Sequence, residues 1–165
     1  PVYNNPIGLK NLLKALVKQD FPKNRYEIIV ANNCSTDNTY EIINYYMEKY
    51  PKIISFVEEN NVQSSYAARN KAIIRSKGEV LAFTDADCTP AVNWLSQGCK
   101  KLIETKASIV AGKIKFTFKD SKPNIWEYFD AAGKLNQKSY LRSDFFIPQM
   151  GHLPVVPIAS LPYSV

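Results

Sequence analysis

The sequence contains no apolar run approaching the roughly 20 residues that cross a bilayer, and no secretory signal pattern opens it. Its one histidine, His152, has no neighbour that would build a metal cluster or a catalytic triad. The three cysteines, Cys34, Cys88 and Cys99, form no Cys-x-x-Cys pair and are odd in number. That argues against a disulfide framework or a zinc site and for a reducing, cytoplasmic compartment. Charge of one sign is never blocked together. The 21 Lys and Arg residues are spread along the 165-residue chain, and no nucleic-acid motif accompanies the net charge of +6. The excess still favours anionic partners such as phosphates or an acidic membrane surface. Lys10, Lys14 and Lys18 share one helical face, read first as solvated and second as a membrane contact. Acidic residues stop at Asp144.

What is present is periodic. Leu9, Leu12, Leu13, Leu16 and Val17 repeat at helical spacing and predict a helix over 7–19. Pro22 breaks the chain, and 26–31 reads as a buried strand. Ser35, Thr36, Asp37 and Asn38, with Glu41 three residues beyond Asn38, signal a helix start. That helix stops before Pro51, and 53–57 is the next strand. A helix over 66–75 ended by Gly78, a strand over 80–84, a helix over 93–104 and a β-rich run over 108–118 follow. Strands alternating with helices predict an α/β fold with a doubly wound, mostly parallel sheet. Residues 1–4 enter a helix as a turn would after a strand, so the first strand is expected to be missing. The Pro-rich tail over 145–165 reads as irregular. The expected division is a binding domain over 1–118, the start of a second region over 119–144, and that tail.

One junction carries chemistry. The apolar run Val80, Leu81, Ala82, Phe83 ends in Thr84, Asp85, Ala86, Asp87, Cys88. Side chains at i and i+2 of an extended strand share a face, which would aim both carboxylates into one space. The C-terminal ends of strands in an open α/β sheet are where ligands sit. Paired carboxylates there suit a hard divalent cation and an anionic, hydroxyl-bearing ligand. The alternative is that Asp85 or Asp87 caps the following helix.

Four ordered segments over residues 1–118 resemble the family-two glycosyltransferases of the GT-A, or nucleotide-diphospho-sugar transferase, fold. Pro1, Val2, Tyr3 and Asn4 are similar to the turn that opens that family's nucleotide pocket. Residues 28–39, IIVANNCSTDNT, resemble its second strand and Asp-Asp-Gly-Ser-Thr-Asp turn. Ala67, Ala68, Arg69, Asn70, Lys71 and Ala72 resemble its Ala-Arg-Asn helix. Thr84 to Pro90, with Trp94 and Leu95 after it, resembles its Asp-x-Asp metal motif. The resemblance implies that Pro1 and Tyr3 line the base pocket and that Asn32 or Asn33 faces the pyrimidine. The family usually has aspartates at those two places, but an Asn amide oxygen still accepts from a base N–H. It implies Arg69 near the diphosphate or ordering the acidic loop, Asp85 on the ribose, Ala86 between them, and Asp87, with Asp85, holding Mn²⁺ or Mg²⁺. Trp94 is expected on the acceptor side or, equally, in the core. Gln63, Ser64 and Ala72 stand where the family commonly has glycine.

The implied activity is inverting, metal-dependent transfer of a sugar from a nucleotide-diphospho-sugar, UDP first among the nucleotides, to a glycan or lipid-linked acceptor. Cell-surface polysaccharide or glycolipid synthesis is the setting it implies, with peripheral membrane association. Inversion needs a general base, and none is assigned. After Glu104 only Asp120, Glu127, Asp130 and Asp144 are acidic, and none stands in a matching context. The chain is therefore expected to hold the donor half and to stop before the base. Two rivals remain: a non-catalytic nucleotide-sugar binding module, and a sugar nucleotidyltransferase. Asn4, Asn5, Pro6, Ile7 and Gly8 do not supply the Gly-rich phosphate loop of the latter.

Overall fold

The computed structural model describes residues 1–115 and, for the backbone alone, 157–160. The chain divides into two compact units, Pro1–Val110 with Val156–Val165, and Ala111–Val155. The first contains α1 (Pro6–Leu16), a 3₁₀ turn (Lys23–Arg25), β1 (Ile28–Asn32), α2 (Thr39–Lys49), β2 (Ile54–Glu58), α3 (Ser65–Arg75), β3 (Val80–Ala82) and α4 (Trp94–Thr105). β4 (Ile109–Ala111) and β5 (Pro157–Ser160) complete the described elements.

Helix α1 forms because four leucines fall on one face and Asn5 caps its start, accepting from the Gly8 N–H at 3.0 Å. Pro6 sits in the first turn, where its missing N–H is not needed. Leu9, Leu12, Leu13 and Leu16 are buried against Ile28, Val30, Ile43, Tyr46 and Ile54. Each such side chain contributes roughly 1.5–3 kcal/mol on burial.

β1 and β2 pair in parallel, from Ile28 with Ile54 to Asn32 with Glu58. Alternation along β1 sends Ile28 and Val30 into that core, while Ala31 is buried outside the cluster. Helix α2 packs on α1 and β2, and α3 packs on β1 and β2 with Ala68 fully buried. Val2 adds one parallel bridge to β1. Its N–H donates to the Ala31 carbonyl at 2.8 Å, and its own carbonyl accepts from Asn33 at 2.9 Å. One residue thus stands where the sequence predicted a missing strand.

Three expectations change. The 80–84 strand is shorter, and its burial alternates, with Val80 37% exposed. Apolarity marked a strand but did not specify what covers it. Its partner is β5, antiparallel, with Val80 opposite Ser160. Part of the tail read as irregular is therefore a strand, opened by Pro157, the first position being one where a strand accepts proline. Gly78 does not cap α3 either: no glycine among the described residues has positive φ. The helix ends at Ser76, which turns extended while its N–H donates to Ala72 and Ile73. Of the β-rich run over 108–118, β4 covers 109–111, and residues 116–118 lie outside the described residues.

Candidate functional site

The ends of β1, β2 and β3 and the starts of α1 and α3 surround a cleft of about 700 Å³. Pro1, Val2, Tyr3, Asn5 and Asn33 line one part of it; Gln63, Ser64, Ser65 and Arg69 line a second; Asp85, Ala86 and Asp87 line a third. Two helix N-termini therefore open on one space. Asn5 caps α1, and Ser64 caps α3 by accepting from the Ala67 N–H at 3.2 Å. Helix N-termini favour negative charge, and the Arg69 guanidinium adds to the same field.

The wall beside Asn33 is a closed hydrogen-bond circuit. Asn33 is 4% exposed, and its amide donates to the carbonyls of Glu59, 3.3 Å, and Val62, 3.0 Å. The Cys34 thiol donates to the same Glu59 carbonyl at 3.0 Å. The Glu59 carboxylate is buried and accepts from the N–H groups of Asn61, 2.7 Å, and Val62, 3.0 Å. Those two bonds, helped by Lys71, hold Glu59 below the usual carboxylate range. With both amide hydrogens given away, the group Asn33 offers a ligand is its Oδ1 acceptor. Glu59 was not legible as a site residue; the only signal was its position at the end of a strand beside the asparagine turn. Asn5, Gln63, Ser64 and Ser65 were also not predicted to line the cleft.

The adjacent Asn32 does not line it. The strand alternation turns its side chain elsewhere, where it donates to Glu58 Oε1 at 3.3 Å and accepts from Ser35 N at 3.4 Å. Of the two asparagines, only Asn33 reaches the cleft. The turn that follows needs left-handed backbone at Cys34, φ 61°, and Asn4, which bonds to that turn from the start of the chain, is left-handed as well, φ 45°. Asn tolerates that region, and its Oδ1 accepts from Thr36 N at 2.8 Å.

The acidic wall differs from the strand-face prediction. β3 ends at Ala82, before the acidic pair, and Cys88 N donates to Asp85 O at 3.0 Å, closing a turn through Ala86 and Asp87. The two carboxylates reach one cleft through that turn, not through a shared strand face. Capping is excluded as well, because the next helix, α4, begins at Trp94 with Asn93 at its N-cap position. Asp85 is paired with Arg69, both side chains about a quarter to a third exposed. Asp87 is exposed, with the Cys88 thiol donating to it at 3.5 Å. Burial pushes the Cys88 and Cys99 thiols up, which makes neither a nucleophile.

Two contacts hold this loop. A Cβ on Gly8 would lie 2.6 Å from the Ala86 carbonyl oxygen, so the helix approaches the loop only because position 8 has no side chain. Farther along, buried Gln19 donates to Ala91 O at 2.8 Å and accepts from Leu95 N at 3.0 Å. Trp94, beside that strap, is half-buried and packs against the core; it is not among the residues lining the cleft.

Among the described residues no group of three acidic, His or Cys side chains is poised to enclose a metal. The donor set fits a different kind of site. Mg²⁺-type ions are commonly held by one or two carboxylates plus substrate phosphates, and Asp87 is an exposed carboxylate with no ion-pair partner among the described residues, in the lining of the same cleft.

Residues 1–154 match the family model described as glycosyl transferase family 2. The chain belongs to that family. Glycosyltransferase AglE of Haloferax volcanii is 38% identical over 118 residues, covering 72% of this chain and 38% of that protein. Among solved structures, the mannosyltransferase PcManGT from Pyrobaculum calidifontis, in complex with GDP-Man and Mn²⁺, superposes with a TM-score of 0.65 at 29% identity. That match covers 70% of this chain and 34% of the other. Residues 1–349 of S. aureus TarS with UDP-GlcNAc also give 0.65 at 29% identity, covering 75% and 35%. The chain thus spans well under half the length of these family members. The α/β fold with its parallel sheet is that of the nucleotide-sugar transferases.

Proposed function

We propose that the cleft binds a nucleotide-diphospho-sugar and that the protein transfers its sugar, with inversion, to a glycan or lipid-linked acceptor. The observation that carries this reading is the convergence on one cleft of an acceptor for a base N–H, two helix N-termini, Arg69 and a free carboxylate. Asn33 Oδ1 would accept from the base, with Pro1 and Tyr3 beside it. UDP is the nucleotide proposed; the TarS structure in complex with UDP-GlcNAc supports it. Asp85, oriented by Arg69, would take the ribose hydroxyls. The helix starts at Asn5 and Ser64 would face the diphosphate.

Asp87, with Asp85 at its side, would hold Mn²⁺ or Mg²⁺, and the Mn²⁺ in the PcManGT complex supports that choice. When bound, such an ion supplies Lewis-acid stabilisation of the charge on the departing diphosphate. The remaining work belongs to the chain: Arg69 and the helix N-termini attract and orient the same charge. No base for the acceptor proton is assigned. Asp120, Glu127, Asp130 and Asp144 lie outside the described residues. Acceptor contact by Trp94, and operation at the cytoplasmic face of a membrane in envelope polysaccharide synthesis, complete the proposal. No described helix is long and apolar enough to cross a membrane, and the three cysteines are free.

The test is thermal-shift titration with UDP, GDP and dTDP, each with and without Mn²⁺. A ligand bound only by the folded form raises the melting temperature. A Mn²⁺-dependent rise with UDP is expected. No rise with any nucleotide from a cooperatively melting chain overturns the reading.

A further inference from the structure

Between α1 and α2 lies a second concavity of about 630 Å³, which shares no residue with the donor cleft. Lys10 and Lys14 on α1, about 6 Å apart along the axis, and Lys18 in the turn just beyond the helix line one side of it. Lys49 faces them from α2, and Glu41 is the one acidic residue in the lining. Among the described residues none of these four lysines has a carboxylate within 4.0 Å, whereas Lys71, Lys100 and Lys101 do. Lys49 is positioned: its ammonium lies 5.6 Å from the Tyr45 ring centroid and 5.8 Å from that of Tyr50. It also donates to the Tyr45 hydroxyl at 3.4 Å, and that bond raises its pKa, keeping it charged. The floor is aromatic and fixed, since Tyr46 is buried, stacks on Tyr50 and donates to the Lys10 carbonyl.

Four ammonium groups around one hollow, set against the single carboxylate of Glu41, repel each other, and an anion seated among them offsets that repulsion. Lys is a point-charge partner for phosphate. Tyr faces and hydroxyls suit the carbon skeleton and the alcohol groups of a polyol. We propose that the α1–α2 groove binds an organic phosphate, a phosphate ester carrying a hydroxylated substituent such as glycerol or a sugar. The ester comes either from a lipid headgroup or from a soluble molecule, and the two sources are separable.

The test uses the full 165-residue chain with two probes. One is glycerol 3-phosphate in solution; the other is phosphatidylcholine vesicles with and without phosphatidylglycerol. The groove variant Lys14→Gln/Lys18→Gln/Lys49→Gln is compared with Lys52→Gln/Lys100→Gln/Lys101→Gln, which removes the same charge elsewhere. Each lysine near an anionic surface is worth about fivefold, so the groove variant should bind on the order of a hundredfold more weakly and the control far less so. Saturable binding of glycerol 3-phosphate assigns a soluble ligand. Binding confined to phosphatidylglycerol vesicles assigns the headgroup. No binding to either probe, or equal loss in both variants, overturns the proposal. Amide shifts on the unsubstituted chain give a second reading that does not depend on a variant folding: they must cluster on α1 and α2, and scatter over the surface overturns the site. Nucleotide titration is a separate experiment, so failure of the donor reading leaves this result intact.

Discussion

On one wall of the cleft buried Asn33 and half-buried Cys34 both bond to the carbonyl of buried Glu59, while on the other the Asp87 carboxylate stands in solvent. The first wall has its donors already committed, so it presents one fixed acceptor. The second keeps a charge available and is positioned from behind, by the missing side chain at Gly8 and the Gln19 strap. A group that must discriminate between bases does so better when its other hydrogen bonds are already made, because a buried, satisfied partner cannot reorient to suit the wrong ligand. A group that must take up a cation has to stay exposed until the charge arrives.

The largest effect expected from breaking this contrast is at Asp87. Asp87→Ala should abolish the Mn²⁺-dependent part of the UDP thermal shift while moving the ligand-free stability by no more than about 0.5 kcal/mol. The second effect separates the asparagines. Asn33→Ala removes the proposed base acceptor and should weaken UDP about tenfold by calorimetry, the weight of one buried hydrogen bond of roughly 1.4 kcal/mol. Asn32→Ala should leave UDP affinity within about twofold and lower the melting temperature instead. Equal affinity losses at the two positions would remove the distinction.

Gly8→Ala comes third. The added methyl must push on both the Ala86 carbonyl and the Asn5 cap, so the Mn²⁺ concentration that gives half the thermal shift should rise by more than UDP binding without metal weakens. Unchanged metal dependence would show that the loop is positioned by Gln19 alone. The smallest effect is in pH. Glu59 is held below its ordinary pKa by the Asn61 and Val62 amides. A depressed carboxylate contributes stability that is complete above the unfolded value, 4.5, and is lost as pH falls through the folded one. Melting temperature should therefore fall more steeply below that value in the parent than in Glu59→Gln. Parallel curves would mean the carboxylate is not what ties down the first wall.

Much of this was written locally. The leucines of α1 and the run over 35–38 ahead of α2 are short-range signals, and each marks an element the structure contains. The motif residues Pro1, Tyr3, Asn33, Arg69, Asp85, Ala86 and Asp87 do meet at one cleft. What stayed hidden depends on distant or three-dimensional partners. No pattern in Val80, Leu81 and Ala82 announces a strand more than seventy residues on, as β5 is. The turn that reorients Asp87 rests on one backbone bond between Cys88 and Asp85. Glu59 reads as an ordinary exposed acid until its carboxylate is seen capping a loop. Gly8 reads as a helix residue until the Ala86 carbonyl is placed above it.

The neighbouring asparagines at the end of β1 carry a consequence for how the sheet is kept in alignment. Were β1 to slide by one residue along β2, Asn32 would take the place of Asn33 at the cleft, and the chemical group presented there would be the same. The interior would not survive the exchange, because Glu27 and Ile29 would replace Ile28 and Val30 beneath α1. Discrimination against the slipped form therefore falls on the leucine-packed face and not on the ligand site. A ligand that recognises only the amide would be blind to that error, and the protein relies on its oiled side to keep its binding side in step.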